Sequence, residues 1–391
     1  MNKTTANRQN NPMRILIVGG GIAGLTLAAL LEKQGQTPVV VEQRPEEDNL
    51  GYGLALWPHG SRIFHGLGVH DAFVAESEPM LRYTAKNSRG RILSSSKVPQ
   101  TIHQYGHLGI IPRAGLLKIL GRSLVDTDIQ YGLSVDNFNQ VDDHVEVQFT
   151  DGSKATFDLV IGADGIHSRI RELLLGRISK RDTGWGCYVW WGDSDLVNTG
   201  ETTERWGIGS FVGTYPCREK VCIIAGAPLE TLQADKPDEQ REQLASLLRP
   251  YGLPVDDYLS GLPCGNEPLF LWRMADVRAP TWVKDRVALV GDAAAAFLPT
   301  AGIGASMALE SAAVLAEELG RSNSAYLANA LELYVKRRQS RVEAAQRQSR
   351  RLARMMFMKP KILGYVRNWL LRFTTMEQVV GPLIDKLEQP I

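Results

Sequence analysis

Two hydrophobic patterns follow one another at the start of the chain. Arg14–Val18 is a short apolar run rich in β-branched residues, and Leu25–Gln34 carries apolar residues at helical spacing and stops at Gly35. Pro38–Val41 is a second β-branched run, ending at Glu42. Strand, helix and strand in this order predict a βαβ unit. Farther on, the pattern predicts a helix over Ala114–Leu124 and a strand over Val141–Thr150. A turn at Asp151-Gly152 and a buried returning strand over Ala155–Ile161 follow, ending in Gly162-Ala163-Asp164-Gly165. Between about residues 182 and 280 the texture changes. Glycine-rich alternating strands around 185–192, 205–214 and 221–227 carry Trp185, Trp190, Trp191 and Trp206, and a helical stretch near 236–249 interrupts them. That alternation predicts a mostly antiparallel sheet with one covered face. The first pattern returns with Arg286–Val290, then Gly291-Asp292, a loop to Gly304, and helices over Ala305–Leu319 and Ser324–Met358.

These elements predict an α/β fold, in which a Rossmann-like βαβ sheet is interleaved with a mostly antiparallel sheet and followed by long C-terminal helices. A chain of 391 residues suits two or three domains or one large interleaved unit. With 44% hydrophobic and 22% charged residues, wholesale disorder is excluded. A net charge of +1 gives no general attraction for nucleic acid. The 37 glycines cluster in short runs, which points to backbone approached closely by a ligand. Cys187, Cys217, Cys222 and Cys264 are too scattered for a disulfide framework and lack zinc-finger spacing. No apolar run reaches the roughly 18 residues of a membrane span. Met1–Pro12 is polar, lacks an apolar signal core and reads as a disordered leader, so a cytoplasmic location is expected. His59, His65, His70, His103, His107, His144 and His167 show no metal spacing and are expected at the surface or hydrogen-bonded; no catalytic base is evident.

Gly19-x-Gly21-x-x-Gly24 stands between the first strand and helix. Gly19 would allow the tight turn, Gly21 the approach of a pyrophosphate and Gly24 close helix–strand packing. The helix start would offer amide donors and a favourable field to the diphosphate. Glu42, at a strand end about twenty residues on, is placed to accept from a ribose hydroxyl, with Gln43 and Arg44 beside it. The nucleotide is FAD or NAD(P) on this box alone. Asp164-Gly165-x-x-Ser168-x-x-Arg171 and Gly291-Asp292 follow two further strands. A carboxylate beside a diphosphate needs hydroxyl donors; a ribityl chain offers them, and nicotinamide dinucleotides lack a ribityl chain. The bland alternative for Asp292 is a helix N-cap.

Over about residues 13 to 350 the chain resembles the class A FAD-dependent aromatic hydroxylases, the monooxygenases typified by para-hydroxybenzoate hydroxylase. Three motifs carry the resemblance in order: Gly19–Gly24 with Glu42, Asp164–Arg171, and Gly291-Asp292-Ala293-Ala294 through Pro299 to Gly302-Ile303-Gly304. Arg113 matches an arginine near the FAD. The resemblance implies that Gly19, Gly20, Gly21, Ile22, Ala23 and Gly24 hold the diphosphate and Glu42 the adenosine ribose, with Asp292 on the ribityl chain. Pro299 would shape the wall beside the reacting carbon, and Gly302, Ile303, Gly304 and Ala305 would aim amides at the flavin pyrimidine edge. The Asp164 segment would serve both FAD and a transiently bound NAD(P)H. The implied activity is hydroxylation of an aromatic or polycyclic small molecule with NAD(P)H and O2, through a flavin C4a-hydroperoxide. Residues 13–181 with 281–323 would form a discontinuous FAD-binding domain, 182–280 the substrate-binding sheet and 324–391 a C-terminal helical region.

The chain departs from the family at Ala295, usually His, at Ile303, usually Gln, and at Ser306, usually Asn. A flavin-dependent halogenase would need a Trp-x-Trp-x-Ile-Pro segment, and the nearest stretch here is Tyr188-Val189-Trp190-Trp191-Gly192-Asp193. A flavin-dependent reductase and a non-catalytic flavin-binding homologue are the other readings. For the substrate, alternation puts Tyr188 and Trp190 on one face and Cys187 and Trp191 on the other, and opposes Trp206 and Ile208 to Phe211 and Tyr215. Tyr188, Trp190, Trp206 and Phe211 are the candidate substrate contacts. Eight basic residues from Lys336 to Arg354, against Glu343 alone, read as a solvated helix face. The apolar and basic stretch Ile362–Phe373 admits a membrane contact, but packing on the body is favoured.

Overall fold

The computed structural model describes residues 13–45, 51–103, 106–234, 236–262 and 269–373; the leader, Cys264 and the C-terminal residues 374–391 lie outside the described residues. Strand β1 (Ile15–Val18), helix α1 (Ile22–Lys33) and strand β2 (Val39–Glu42) form the predicted unit. Strands β3 (Leu159–Gly162) and β4 (Val287–Leu289) complete its centre. The sheet runs in the order β4, β3, β1, β2, all parallel, with Ile129–Tyr131 outside β2 and Val283–Lys284 antiparallel on the β4 edge. Both faces are covered, so its strands are apolar throughout rather than alternating: β1 and β3 are buried at every residue.

Two predicted strands are divided. Val141–Thr150 is the second half of a hairpin whose strands are Val135–Val141 and His144–Phe149, because Asp142 and Asp143 supply turn residues where the apolar count suggested continuity. Ala155–Ile161 is split at Asp158, whose carboxylate accepts from the Arg14 amide at 2.7 Å and so starts β3 in register with β1.

The second sheet has seven strands, with Arg181–Asp193, Glu201–Trp206, Phe211–Cys217, Lys220–Pro228 and Leu271–Arg278 antiparallel as expected. It reaches beyond 182–280. Arg82–Asn87 pairs in parallel with Glu201–Trp206 and carries Ile92–Lys97 at the edge. The expected strand 205–214 is a hairpin: Trp206 faces Phe211 across a turn containing Ile208.

Helix α2 (Gly304–Gly320) packs on α1 and on the long helix α3 (Leu327–Met356). The basic run on α3 is solvated only in part: Lys336, Arg347, Arg351 and Arg354 are exposed, whereas others turn inward. Arg338 is completely buried and donates to Glu310 of α2 at 2.7 Å, and Arg350 holds buried Asp276 through two 2.7 Å bonds. The following helix, Lys361–Leu370, is tied down by buried Arg367, which donates to the carbonyls of Trp206, Gly207, Met355 and Met356. Its outer face is not packed on the body: Ile362, Tyr365 and Trp369 are 78%, 65% and 58% exposed. No helix among the described residues is long and apolar enough to cross a membrane.

Candidate active site

The three motifs end three neighbouring strands. Backbone bonds join those ends sideways: the Gly19 amide donates to Val41, Ala163 to Val18 and Val290 to Gly162, at 2.7, 2.8 and 2.9 Å. The loops therefore meet above the carboxyl ends of a parallel sheet, where open α/β sheets bind ligands.

Each glycine of the first loop has its own physical reason. Gly19 has φ +115°, and a Cβ there would sit 2.5 Å from the Ala163 carbonyl oxygen. A Cβ on Gly24 would lie 1.9 Å from the Gly19 carbonyl oxygen. Gly21 differs: a Cβ there would meet nothing within 4 Å, because the residue faces an open cavity at the start of α1. The fold requires Gly19 and Gly24, whereas Gly21 keeps space free. Glu42 accepts from the Gly20 amide at 2.7 Å and the Arg44 amide at 2.9 Å, which fixes its carboxylate beside the loop. Gln43 and Arg44 are exposed beyond the strand end and do not line the cavity.

Asp164 accepts from the Ile170 amide at 3.0 Å, while its other oxygen, Oδ1, is buried and unpartnered. Burial raises its carboxyl, against the lowering effect of bonds from Ser168 and Ile170. Ser168 caps the helix Arg169–Leu175 by accepting from the Arg171 amide. Arg171 donates to the Ile166 carbonyl at 2.7 Å and the Ala293 carbonyl at 2.9 Å, clamping the second motif to the third. Asp292 stands open to the cavity and is surrounded by protein beyond it. That enclosure raises its carboxyl to about 6, partly offset by Arg113 and Arg171.

The cavity measures about 410 Å³ and runs from the first loop to the second sheet. Gly21, Ile22, Ala23, Arg113, Asp292, Pro299 and Gly302–Ala305 line it; Gly19, Gly20, Gly24, Glu42 and Asp164 do not. Gly302 is left-handed at φ +58° and turns the chain into α2, whose first residues Gly304 and Ala305 face the cavity. Two departures from the family pattern have structural roles here. Ser306 Oγ accepts from the Trp57 amide at 2.9 Å, and buried Ala295 bridges to Arg278.

Of the four aromatic candidates, only Trp206 lines the cavity. Tyr188 and Trp190 point to the other side of the sheet, into the core formed with the helix Pro237–Leu248; Tyr188 donates to Gln243 and Trp190 to the Tyr258 carbonyl. Phe211 packs on Phe357 with ring centroids 6.1 Å apart. Sequence reasoning missed Tyr52, Trp57, Tyr83, Glu204, Tyr215, Trp272 and Phe297, all of which line the cavity. The alternation in Glu201-Thr-Thr-Glu-Arg-Trp206 could have found Glu204, since it shares a face with Trp206.

Sequence and structure comparisons place this geometry in a family. Residues 12–349 match the family described as FAD binding domain. The chain belongs to that family. It is 30% identical over 374 residues to the aurachin C monooxygenase/isomerase of Stigmatella aurantiaca, covering 94% of this chain and 96% of that protein. It is also 30% identical to the salicylate hydroxylase of Pseudomonas putida, covering 90% and 88%. Among solved structures it is similar to HpxO of Klebsiella pneumoniae complexed with FAD and uric acid, with a TM-score of 0.86, 26% identity and 96% of each chain covered. The protein is an FAD-dependent monooxygenase of the aromatic hydroxylase kind. The halogenase, reductase and non-catalytic readings are not favoured.

The residues present fit FAD. The Gly21 face is free of side chain, α2 opens on the cavity without an acid in its first turn, and Trp57 offers a buried, unpartnered indole N–H in the cavity wall. Helix N-termini facing a ligand that gains negative charge on reduction are electrostatically matched to it.

Proposed function

We propose that this monooxygenase hydroxylates a flat aromatic or polycyclic small molecule held between the flavin site and the second sheet, with NAD(P)H as electron donor and O2 as oxidant. One observation supports the reading above all. A single cavity connects the Gly21 loop and Asp292 with the aromatic walls Trp206, Tyr215 and Trp272. A cofactor and an organic substrate can therefore meet without passing through solvent.

Bound there, FAD would supply the electron transfer from nicotinamide and the activation of oxygen. The chain does the rest. The first turn of α1 would receive the diphosphate, and Glu42, already fixed by two amides, would take the adenosine ribose. Asp292 would accept from ribityl hydroxyls, which replaces the water its enclosed carboxylate otherwise needs. Arg113 would balance its charge across the cavity. The amides of Gly304 and Ala305 would face the pyrimidine edge. Aromatic side chains of the second sheet would exclude water from the reacting atoms, so that reduced oxygen is transferred rather than lost. Only one dinucleotide loop is present among the described motifs, so the nicotinamide would visit and leave. The unpaired, buried Cys187, Cys217 and Cys222 suit a reducing, cytoplasmic setting.

The test is NAD(P)H consumption by the FAD-loaded protein against phenols, quinolones and polyketide-like aromatics, with product masses. Consumption stimulated by substrate and a product heavier by one oxygen atom are expected. Turnover that proceeds unchanged without O2 contradicts the proposal.

A further inference from the structure

The strand Glu201–Trp206 turns Thr202, Glu204 and Trp206 into the cavity, and all are buried. Glu204 is the unusual member. Its Oε2 accepts from Tyr83 Oη at 2.7 Å and from Trp206 Nε1 at 2.8 Å, and its Oε1 accepts from Tyr215 Oη at 2.7 Å. No arginine, lysine or histidine pairs with it among the described residues. A carboxylate has about four acceptor sites, so one, on Oε1, stays unused. Two residues away, Thr202 Oγ1 is buried in the same wall with no partner at all. Buried polar groups are normally satisfied, so these two openings mark where a ligand's polar atoms belong. Arg113, the one Arg or Lys among the described lining residues, serves the other end, where it faces Asp292 and Tyr52.

Resting on the functional reading above, we infer that Thr202 and Glu204 form a recognition site for an aromatic substrate that is neutral or cationic and presents an N–H or O–H donor, and that the same site rejects ring carboxylates. An N–H or O–H directed at Oε1 makes a charge-assisted bond, among the strongest available to a neutral ring. A carboxylate in that place would meet a like charge with no neighbouring cation, inside a wall where water cannot screen the repulsion. Tyr83 and Tyr215 are held protonated by burial and by the charge of Glu204, so they stay donors to Glu204. The acid thus selects the substrate's charge, and the aromatic walls select its shape.

The test uses the FAD-loaded protein and two pairs of probes that share a ring system: 2-aminophenol against salicylate, and 4-hydroxyquinoline against quinoline-4-carboxylate. Dissociation constants come from calorimetry and from the perturbation of the flavin spectrum. The wild type is expected to prefer the donor of each pair by about tenfold or more. Glu204→Gln should weaken donor binding by about tenfold to a hundredfold and bring the carboxylates level, with flavin content unchanged. Thr202→Val should weaken donor binding several-fold, and it carries the test should Glu204→Gln not fold. Equal binding of donor and carboxylate by the wild type, or unaltered binding in both variants, overturns the inference while leaving the flavin site intact. A folded wild-type chain that takes up no FAD overturns the functional reading, and the inference with it.

Discussion

At the scale of single residues, Gly21 and Gly24 separate what the fold needs from what the cofactor needs. A side chain at Gly24 would collide with the Gly19 carbonyl, so Gly24→Val is expected to prevent native folding, seen as loss of the cooperative melt. Asp292 makes the complementary case. Its enclosure raises the carboxyl to about 6, so at neutral pH the folded, cofactor-free chain carries an anion that is less favourable there than in the unfolded chain. A raised acid stabilises the fold below its ordinary pKa and loses that contribution as pH climbs through the shifted value. Asp292→Asn should therefore raise the melting temperature of the cofactor-free protein at pH 7.5 by about a degree or two, and weaken FAD binding by roughly tenfold or more. An unchanged FAD dissociation constant would contradict its assigned role. Both residues were legible in the sequence, because a glycine box and a strand-end acid are local signals. Alternation puts Glu204 on the face of Trp206, but its role was not legible, because that comes from Tyr83, 121 positions away, and from the fold bringing them together.

At the scale of elements, α2 and α3 are joined most deeply through the buried acid Glu310. Glu310 accepts from Arg338, Arg341 and Arg62, and Arg338 is wholly buried. Removing the acid leaves uncompensated guanidinium groups, so Glu310→Ala should destabilise the protein by about 3–5 kcal/mol in urea unfolding. An effect within about 0.5 kcal/mol, as at an ordinary surface site, would refute the network. The sequence pattern gave both helices nearly to their ends, since 3.6-residue periodicity persists there. It read the whole basic run of α3 as solvated, which holds for Lys336, Arg347, Arg351 and Arg354 but not for Arg337, Arg338 and Arg341, because sequence shows the charges and not the acids of α2 opposite them. In the second sheet, alternation correctly divided Tyr188 and Trp190 from Cys187 and Trp191. Which face meets the cavity depends on where the helix Pro237–Leu248 packs, and no local pattern encodes that. Arg82–Asn87 went unread as a sheet strand because only Thr84 and Ala85 of its six residues are buried.

At the scale of the whole molecule, stability and cofactor binding share the same interior. His59 is buried beneath α2 with both ring nitrogens unpartnered, and burial pushes it down to about 3, against the opposing pull of Glu310. It was expected at the surface or hydrogen-bonded, and is neither. With the folded value depressed, the unfolded chain takes the proton first: its contribution is complete above about pH 6.5 and is lost as pH falls toward 3. His59→Leu should therefore flatten the stability-against-pH curve between pH 6 and 4 by up to about 1.4 kcal/mol per pH unit. A curve parallel to the wild type's would contradict this. The α/β class and the interleaving of the two sheets were readable because motifs mark strand ends. The adjacency of β1, β3 and β4 follows from non-local pairing, and it converts three separate motifs into one site. The most direct test of that claim is FAD titration of wild type and Gly21→Val, with thermal melts of both. Gly21 has extended backbone and empty space around it, so the variant should melt within a few degrees of the wild type. The wild type is expected to bind one FAD per chain, and Gly21→Val, though folded, to bind at least about a hundredfold more weakly. Equal affinity in the two proteins would mean that the diphosphate does not lie over this loop.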